Sequence, residues 1–289
     1  MKRRDMLKLT GAAIVGASAF PVGWTAAAEK KKQKILYFTR SAGFEHEAVK
    51  RKDGQLGYGE QAMKEMAERS GLEIEITKDG AVFDGDLAAW DLIMFYTSGD
   101  LTAKELPKGR KEPGSPMSPA GKEKLLKAID AGKPFYGIHA ATDSFRSAGI
   151  DPYIAMIGGE FVRHGKQQVA TVKVTSPSFP GIGGRKSLSL NEEWYAMSKF
   201  PNDLHVILLQ ETEGMEGKDY ARPPFPATWA RMHGQGRVYY TSFGHREDIW
   251  QNPDVQEIML GGVAWCLGNA EADVTPNIEK VAPKANQLP

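Results

Sequence analysis

From Lys34 onward the chain alternates short, continuously apolar runs with amphipathic stretches. KILYFTR (34–40) follows a lysine-rich start and reads as a buried strand. GEQAMKEMAERSG (59–71) puts Met63, Met66 and Ala67 on one helical face and stops at Gly71. EIEIT (73–77) alternates as a half-buried strand does, and LIMFYTSG (92–99) is apolar until Thr97, Ser98 and Gly99. A Pro/Gly/Lys-rich loop (107–116) precedes a helix opened by Ser118-Pro119 and closed near Gly132. In GKPFYGIHAATDSF (132–145) the apolar Phe135, Tyr136 and Ile138 break off at His139, the geometry of a strand turning sharply onto a helix. Strands and helices in alternation, with fully apolar strands, predict a parallel sheet covered on both faces.

The second half is richer in strands. QQVATVKVT (167–175), LHVILLQE (204–211) and the hairpin TWARMHGQGRVYYTSF (228–243), with Gly234 and Gly236 at its turn, precede a last helix over 254–267. The expected fold is therefore α/β: three layers around a mostly parallel, doubly wound sheet, with extra antiparallel strands in the second half. One domain is expected over 34–268. Residues 269–289 lack apolar periodicity and read as a loose C-terminal tail.

Residues 1–28 read as a targeting segment, not as part of the fold. A basic start, an apolar run and the small residues before Ala28 are the parts of a signal peptide. Arg3-Arg4 marks it as twin-arginine type, with Met6 where Phe is commoner. The apolar run is short and carries Gly and Pro, which argues against a permanent membrane anchor. A periplasmic or otherwise exported protein is expected, with the twin-arginine export machinery as a transient partner.

With 37 Lys and Arg against 36 Asp and Glu, the chain has no basic field for nucleic acid. Its one cysteine, Cys266, excludes an internal disulfide and a cysteine-based zinc site, and lies in an apolar helical pattern. GIGG (181–184) lacks the Lys-Ser/Thr of a phosphate loop and reads as a turn.

In open α/β sheets, ligands bind at the carboxyl ends of the strands. That rule gathers the loops SAGFEHEAV, YTSGD, HAATDSF and GHREDIW, and with them His46, His139 and His245, beside Asp100, Asp143, Glu45 and Glu247. His164, on a Gly-bounded loop, is placed to join them, and Phe44 and Tyr96 lie on the same loops as candidate substrate contacts. Imidazoles near neutral pH suit acid–base chemistry, and two or three with a carboxylate equally suit a metal ion, although no HExxH-type spacing occurs. NEEWYAM (191–197) adds Glu192, Glu193, Trp194 and Tyr195, and a later strand adds Trp229. Aromatic rings beside a carboxylate suit a sugar, while Trp194 and Trp229 equally suit a core. Only one of the two adjacent glutamates can face a site from an extended chain.

Taken in order, KILYFTRSAGFEHEAV, FYTSGDL, GKPFYGIHAATDSF, GGEFVRHG, NEEWY and WARMHGQGRVYYTSFGHREDIWQNP resemble the ThuA-like (trehalose utilisation) family, within the class I glutamine amidotransferase-like superfamily. The resemblance implies that His139 stands where amidotransferases carry their nucleophilic Cys, and that His245-Arg246-Glu247 matches their late His-x-Glu. Glutamine hydrolysis through a thioester then has no nucleophile. It also implies disaccharide catabolism, of trehalose-type sugars or 3-keto-glycosides. His139, His245 and Glu193 are the expected catalytic groups; Phe44, His46, Tyr96, Asp143, His164, Tyr195 and Trp229 are the expected substrate contacts. Asp143 has capping of its own turn as a second expected role. A non-catalytic carbohydrate-binding module and a metal-dependent glycoside hydrolase are the alternative classes. No cofactor is firmly implied, and a divalent metal is compatible with the histidines.

Overall fold

The computed structural model describes residues 32–289, so the expected targeting segment lies outside the described residues. Strands β1 (Lys34–Phe38), β2 (Glu73–Thr77), β3 (Leu92–Phe95) and β4 (Phe135–Ile138) pair in parallel, and β11 (Gly236–Thr241) adds a fifth parallel strand beside β4. From β11 the sheet turns antiparallel through β10 (Phe225–His233), β9 (His205–Gln210), β6 (Gln168–Val174) and β7 (Ser187–Glu192). The order across nine strands is β2-β1-β3-β4-β11-β10-β9-β6-β7.

Both faces are covered, as the continuous apolar strands require. Ile35 and Tyr37 of β1 pack with Met63 and Met66 of helix α1 (Tyr58–Arg69), and with Ile249 and Trp250 of α4 (Glu247–Gln251) and Ile258, Met259 and Val263 of α5 (Pro253–Cys266). Leu36 and Phe38 point the other way. They pack with Leu125 and Ile129 of α2 (Pro119–Asp130) and Tyr153 and Ile157 of α3 (Pro152–Ile157). The fold is thus the α/β, mostly parallel sheet with added antiparallel strands that the pattern predicts. A separate two-stranded pair, β5 (Glu160–His164) with β8 (Tyr195–Ser198), was not predicted. β5 (EFVRH) is short and largely polar and β8 (YAMS) is only four residues long, so neither shows a strand period.

The carboxyl ends of the parallel strands are sewn together by backbone bonds. Ser98 C=O accepts from Ala42 and Gly43 N–H, Gly99 N–H donates to Asp143 C=O, and Phe145 N–H donates to Gly99 C=O. Gly99 has φ +76°, and a Cβ there would stand 2.2 Å from the Gly43 nitrogen. Gly99→Ala is therefore expected to cost at least about 2 kcal/mol of stability, read as a lowered urea midpoint. A midpoint equal to that of the unaltered protein would mean that these loops are not so closely packed.

The C-terminal residues depart from expectation. Instead of a loose tail they form a strap ending near α6 (Ile278–Val281), with Ile278, Ala282 and Ala285 buried. Asn277 exchanges two side-chain hydrogen bonds with the backbone of Val206, and Asn286 does the same with Phe200. Polar side chains make these attachments, so no apolar period announces them.

Candidate functional site

β4 is followed immediately by a 3-10 turn over His139–Asp143, and His139 itself has φ +43°. An L-residue held in this left-handed region marks a position that the surroundings enforce, and such positions cluster at functional sites. The ring is fully buried. Its Nδ1 lies 2.8 Å from the Ser242 carbonyl oxygen. A carbonyl only accepts, so Nδ1 carries the proton and Nε2 presents a lone pair. Burial, against the pull of the nearby Glu193 carboxylate, pushes the His139 pKa down to about 4, which favours the neutral ring.

Three other elements bring partners to this nitrogen. His46 precedes the short turn after β1, His245 follows β11 just before α4, and Glu193 lies between β7 and β8. Glu193 Oε2 is 2.9 Å from His245 Nδ1, 3.4 Å from His139 Nε2 and 3.8 Å from His46 Nε2; Oε1 is 3.3 Å from His164 Nδ1. One ligand atom from each of His46, His139, Glu193 and His245 falls within 4.8 Å of all the others. His139 Nε2 and His245 Nδ1 are buried without a hydrogen-bond partner, because neither lines up with the Glu193 oxygen beside it.

The electrostatics make opposing demands. Burial raises the Glu193 pKa, but the imidazoles of His139, His245 and His46 gathered around it outweigh burial and hold the carboxyl well below its usual range. Burial lowers His46. For His245, burial acts downward and the Glu193 carboxylate upward, and the net shift is upward. An ionised Glu193 wants donors on every side, whereas neutral His139 turns a lone pair toward it. A cation among these atoms satisfies both.

The remaining expected residues divide into rim, backing and core. Tyr195 is buried, with its hydroxyl 3.1 Å from His46 Nε2 and its ring 4.1 Å from that of His139. His164, opposite Tyr195 in the β5–β8 pair, is half-exposed. Phe44 is 66% exposed and sets its edge on the His46 ring. Asp143 caps nothing: its carboxylate pairs with Arg146 at 2.6 Å, and burial pushes its pKa up to about 6 despite that arginine. Tyr96 is no rim residue, since it is buried behind the histidines with its hydroxyl on the Gly244 carbonyl. Trp229 lies in the core, 0% exposed, packed against Tyr240 at an interplanar angle of 30° and donating to the Ile157 carbonyl. Its strand faces the layer of α3, not the rim.

Of the two glutamates, Glu193 faces the histidines. Glu192 is buried beneath, accepting backbone N–H groups, and burial pushes its pKa up to about 7 against those bonds. Sequence reasoning missed the Ser242 carbonyl, which no side-chain pattern reveals. It also missed Gln167, whose Nε2 lies 2.9 Å from His245 Nε2 while its Oε1 accepts from Arg246. Its position three residues after His164 was the available signal.

The family model for ThuA, described as trehalose utilisation, matches residues 34–266. Among solved structures, a putative ThuA-like protein from Bacteroides uniformis is similar with a TM-score of 0.62 and 16% identity, over 86% of this chain and 95% of that one. A putative ThuA-like protein from Parabacteroides merdae is similar with a TM-score of 0.62 and 16% identity, over 89% of this chain and 97% of that one. The comparison with curated proteins gives no match.

Proposed function

The chain belongs to the ThuA family, described as trehalose utilisation, and we propose that it is an exported enzyme of disaccharide catabolism whose site holds one divalent cation among His46, His139, Glu193 and His245. The observation that carries this reading is His139: its Nδ1 is committed to the Ser242 carbonyl, so its buried, unpartnered Nε2 faces a carboxylate. Imidazole and carboxylate donors suit zinc and its first-row neighbours.

When bound, such an ion acts as a Lewis acid on a carbonyl or hydroxyl oxygen of the sugar. A 3-keto-glycoside fits this best, because the ketone acidifies the adjacent C–H. Asp143, carried on the turn that starts at His139 and with its pKa pushed up to about 6 by burial, takes that proton. Tyr195 supplies a buried O–H to the oxygen on which negative charge develops. His164 and Phe44 line the open side, where a hydroxyl and an apolar sugar face are met. The chemistry needs no cysteine nucleophile, and Cys266 is buried on α5.

The test is a proton NMR time course with 3-keto-trehalose and with trehalose, using protein stripped of metal and then reloaded. New sugar resonances that need the reloaded cation are expected with the keto sugar. Line broadening without new peaks would identify a carbohydrate-binding module instead. Turnover unaffected by stripping would return the acid–base role to Glu193 and the histidines alone.

A further inference from the structure

We propose that Glu192 is a positioning residue whose carboxylate fixes the separation of Glu193 and His245; the inference rests on the cation reading above. The two segments have no reason in the sheet to meet. β7, which ends at Glu192, is the outermost strand, and β10, β9 and β6 separate it from β11, which leads to His245. No ladder of hydrogen bonds joins β7 to β11.

Glu192 closes that gap. Its Oε2 accepts from the backbone N–H of Gly244 at 3.0 Å and of His245 at 3.2 Å, and its Oε1 accepts from the N–H of Glu193 at 2.7 Å. The carbonyl side of the same segment is also occupied: Gly244 C=O accepts from Tyr96 and Trp250, and His245 C=O accepts from Tyr58. Of these partners only Glu192 also bonds the backbone of Glu193. Among the described residues it is the one side chain hydrogen-bonded to the backbone of both ligand-bearing segments.

The residue type fits the task. Three donors converge and no acceptor does, which a carboxylate satisfies and a carboxamide does not, since its NH₂ would face an N–H. Its hydrogen-bond partners are all backbone N–H groups, and no lysine or arginine is among the main influences on it. An apolar residue of similar size would strand all three donors, and a carboxamide would strand one. The buried acid satisfies the backbone of both ligand-bearing segments at once and so holds them at a fixed separation.

The test compares the full chain with Glu192→Gln and Glu192→Asp, by calorimetric titration of Zn(II) into metal-stripped protein and by backbone amide NMR without metal. Zn(II) affinity is expected to fall about ten- to hundredfold in Glu192→Gln, with one ion still bound, and about three- to tenfold in Glu192→Asp. The amide protons of Glu193, Gly244 and His245 are expected to move together. A folded Glu192→Gln that binds Zn(II) like the unaltered protein overturns the proposal, because a role in stability alone lowers the melting temperature without changing that affinity. If Glu192→Gln does not fold, unchanged Zn(II) affinity in Glu192→Asp overturns it. An unaltered protein that binds no Zn(II) overturns the cation reading instead, whereas amides that fail to move in Glu192→Gln overturn the tie itself.

Discussion

His139→Ala is expected to raise the dissociation constant for a divalent cation by more than about a hundredfold, beyond the ten- to hundredfold typical of residues behind the ligands. His139 is the imidazole whose free nitrogen is fixed by geometry, through the Ser242 carbonyl on its other side. In the metal-free protein its removal relieves the opposition between a lone pair and the Glu193 carboxylate but leaves a cavity and strands the Ser242 carbonyl, so the metal-free melting temperature should fall. The loss of a ligand shows on adding Zn(II). At a hundredfold excess over the dissociation constant the ion stabilises the unaltered protein by about 2.7 kcal/mol, and the variant should gain almost nothing. Equal stabilisation of both proteins would remove His139 from the ligand set. Retained Zn(II) binding with lost turnover would make it an acid–base group, the role first expected from its place on the elbow.

Trp229→Ala is expected to cost about 3–5 kcal/mol, enough to remove much of a domain's stability. The ring fills the core between Tyr240 and Phe200, with centroids 4.3 and 5.6 Å away. Its N–H satisfies the Ile157 carbonyl at 2.8 Å, and alanine leaves that acceptor stranded. Chemical denaturation measures the loss. The fraction that remains folded should bind Zn(II) and sugar as before, because the indole has no exposed surface. A selective loss of sugar affinity with unchanged stability would restore Trp229 to the site.

These two residues show where the sequence was legible. His46, His139 and His245 were placed by one rule, that loops at the carboxyl ends of parallel strands converge, and the continuous apolar runs of β1, β3 and β4 made those ends readable. Trp229 was misplaced because an aromatic residue carries no mark of which sheet face it will occupy when its strand is apolar on both. Glu192 and Glu193 could not be told apart for a related reason. Their roles depend on how an outer strand curls back to Gly244, a contact spanning 52 residues that no local period encodes. Tyr96 lies on the right loop, but its side chain turns inward to a carbonyl. The C-terminal strap was unreadable because its buried apolar residues, Ile278, Ala282 and Ala285, are few and mostly small, and asparagine side chains supply its bonds to the sheet.

That strap also bears on how the sheet is closed. The Asn277 side-chain amide bonds the N–H and C=O of Val206 as another peptide would, beside the irregular β9–β10 register near Thr228 and Trp229. An interior strand thus receives one of its rungs from a side chain 71 residues further along the chain. The sheet is completed at this point by a contact of high sequence separation, the kind whose loop-closure cost slows folding.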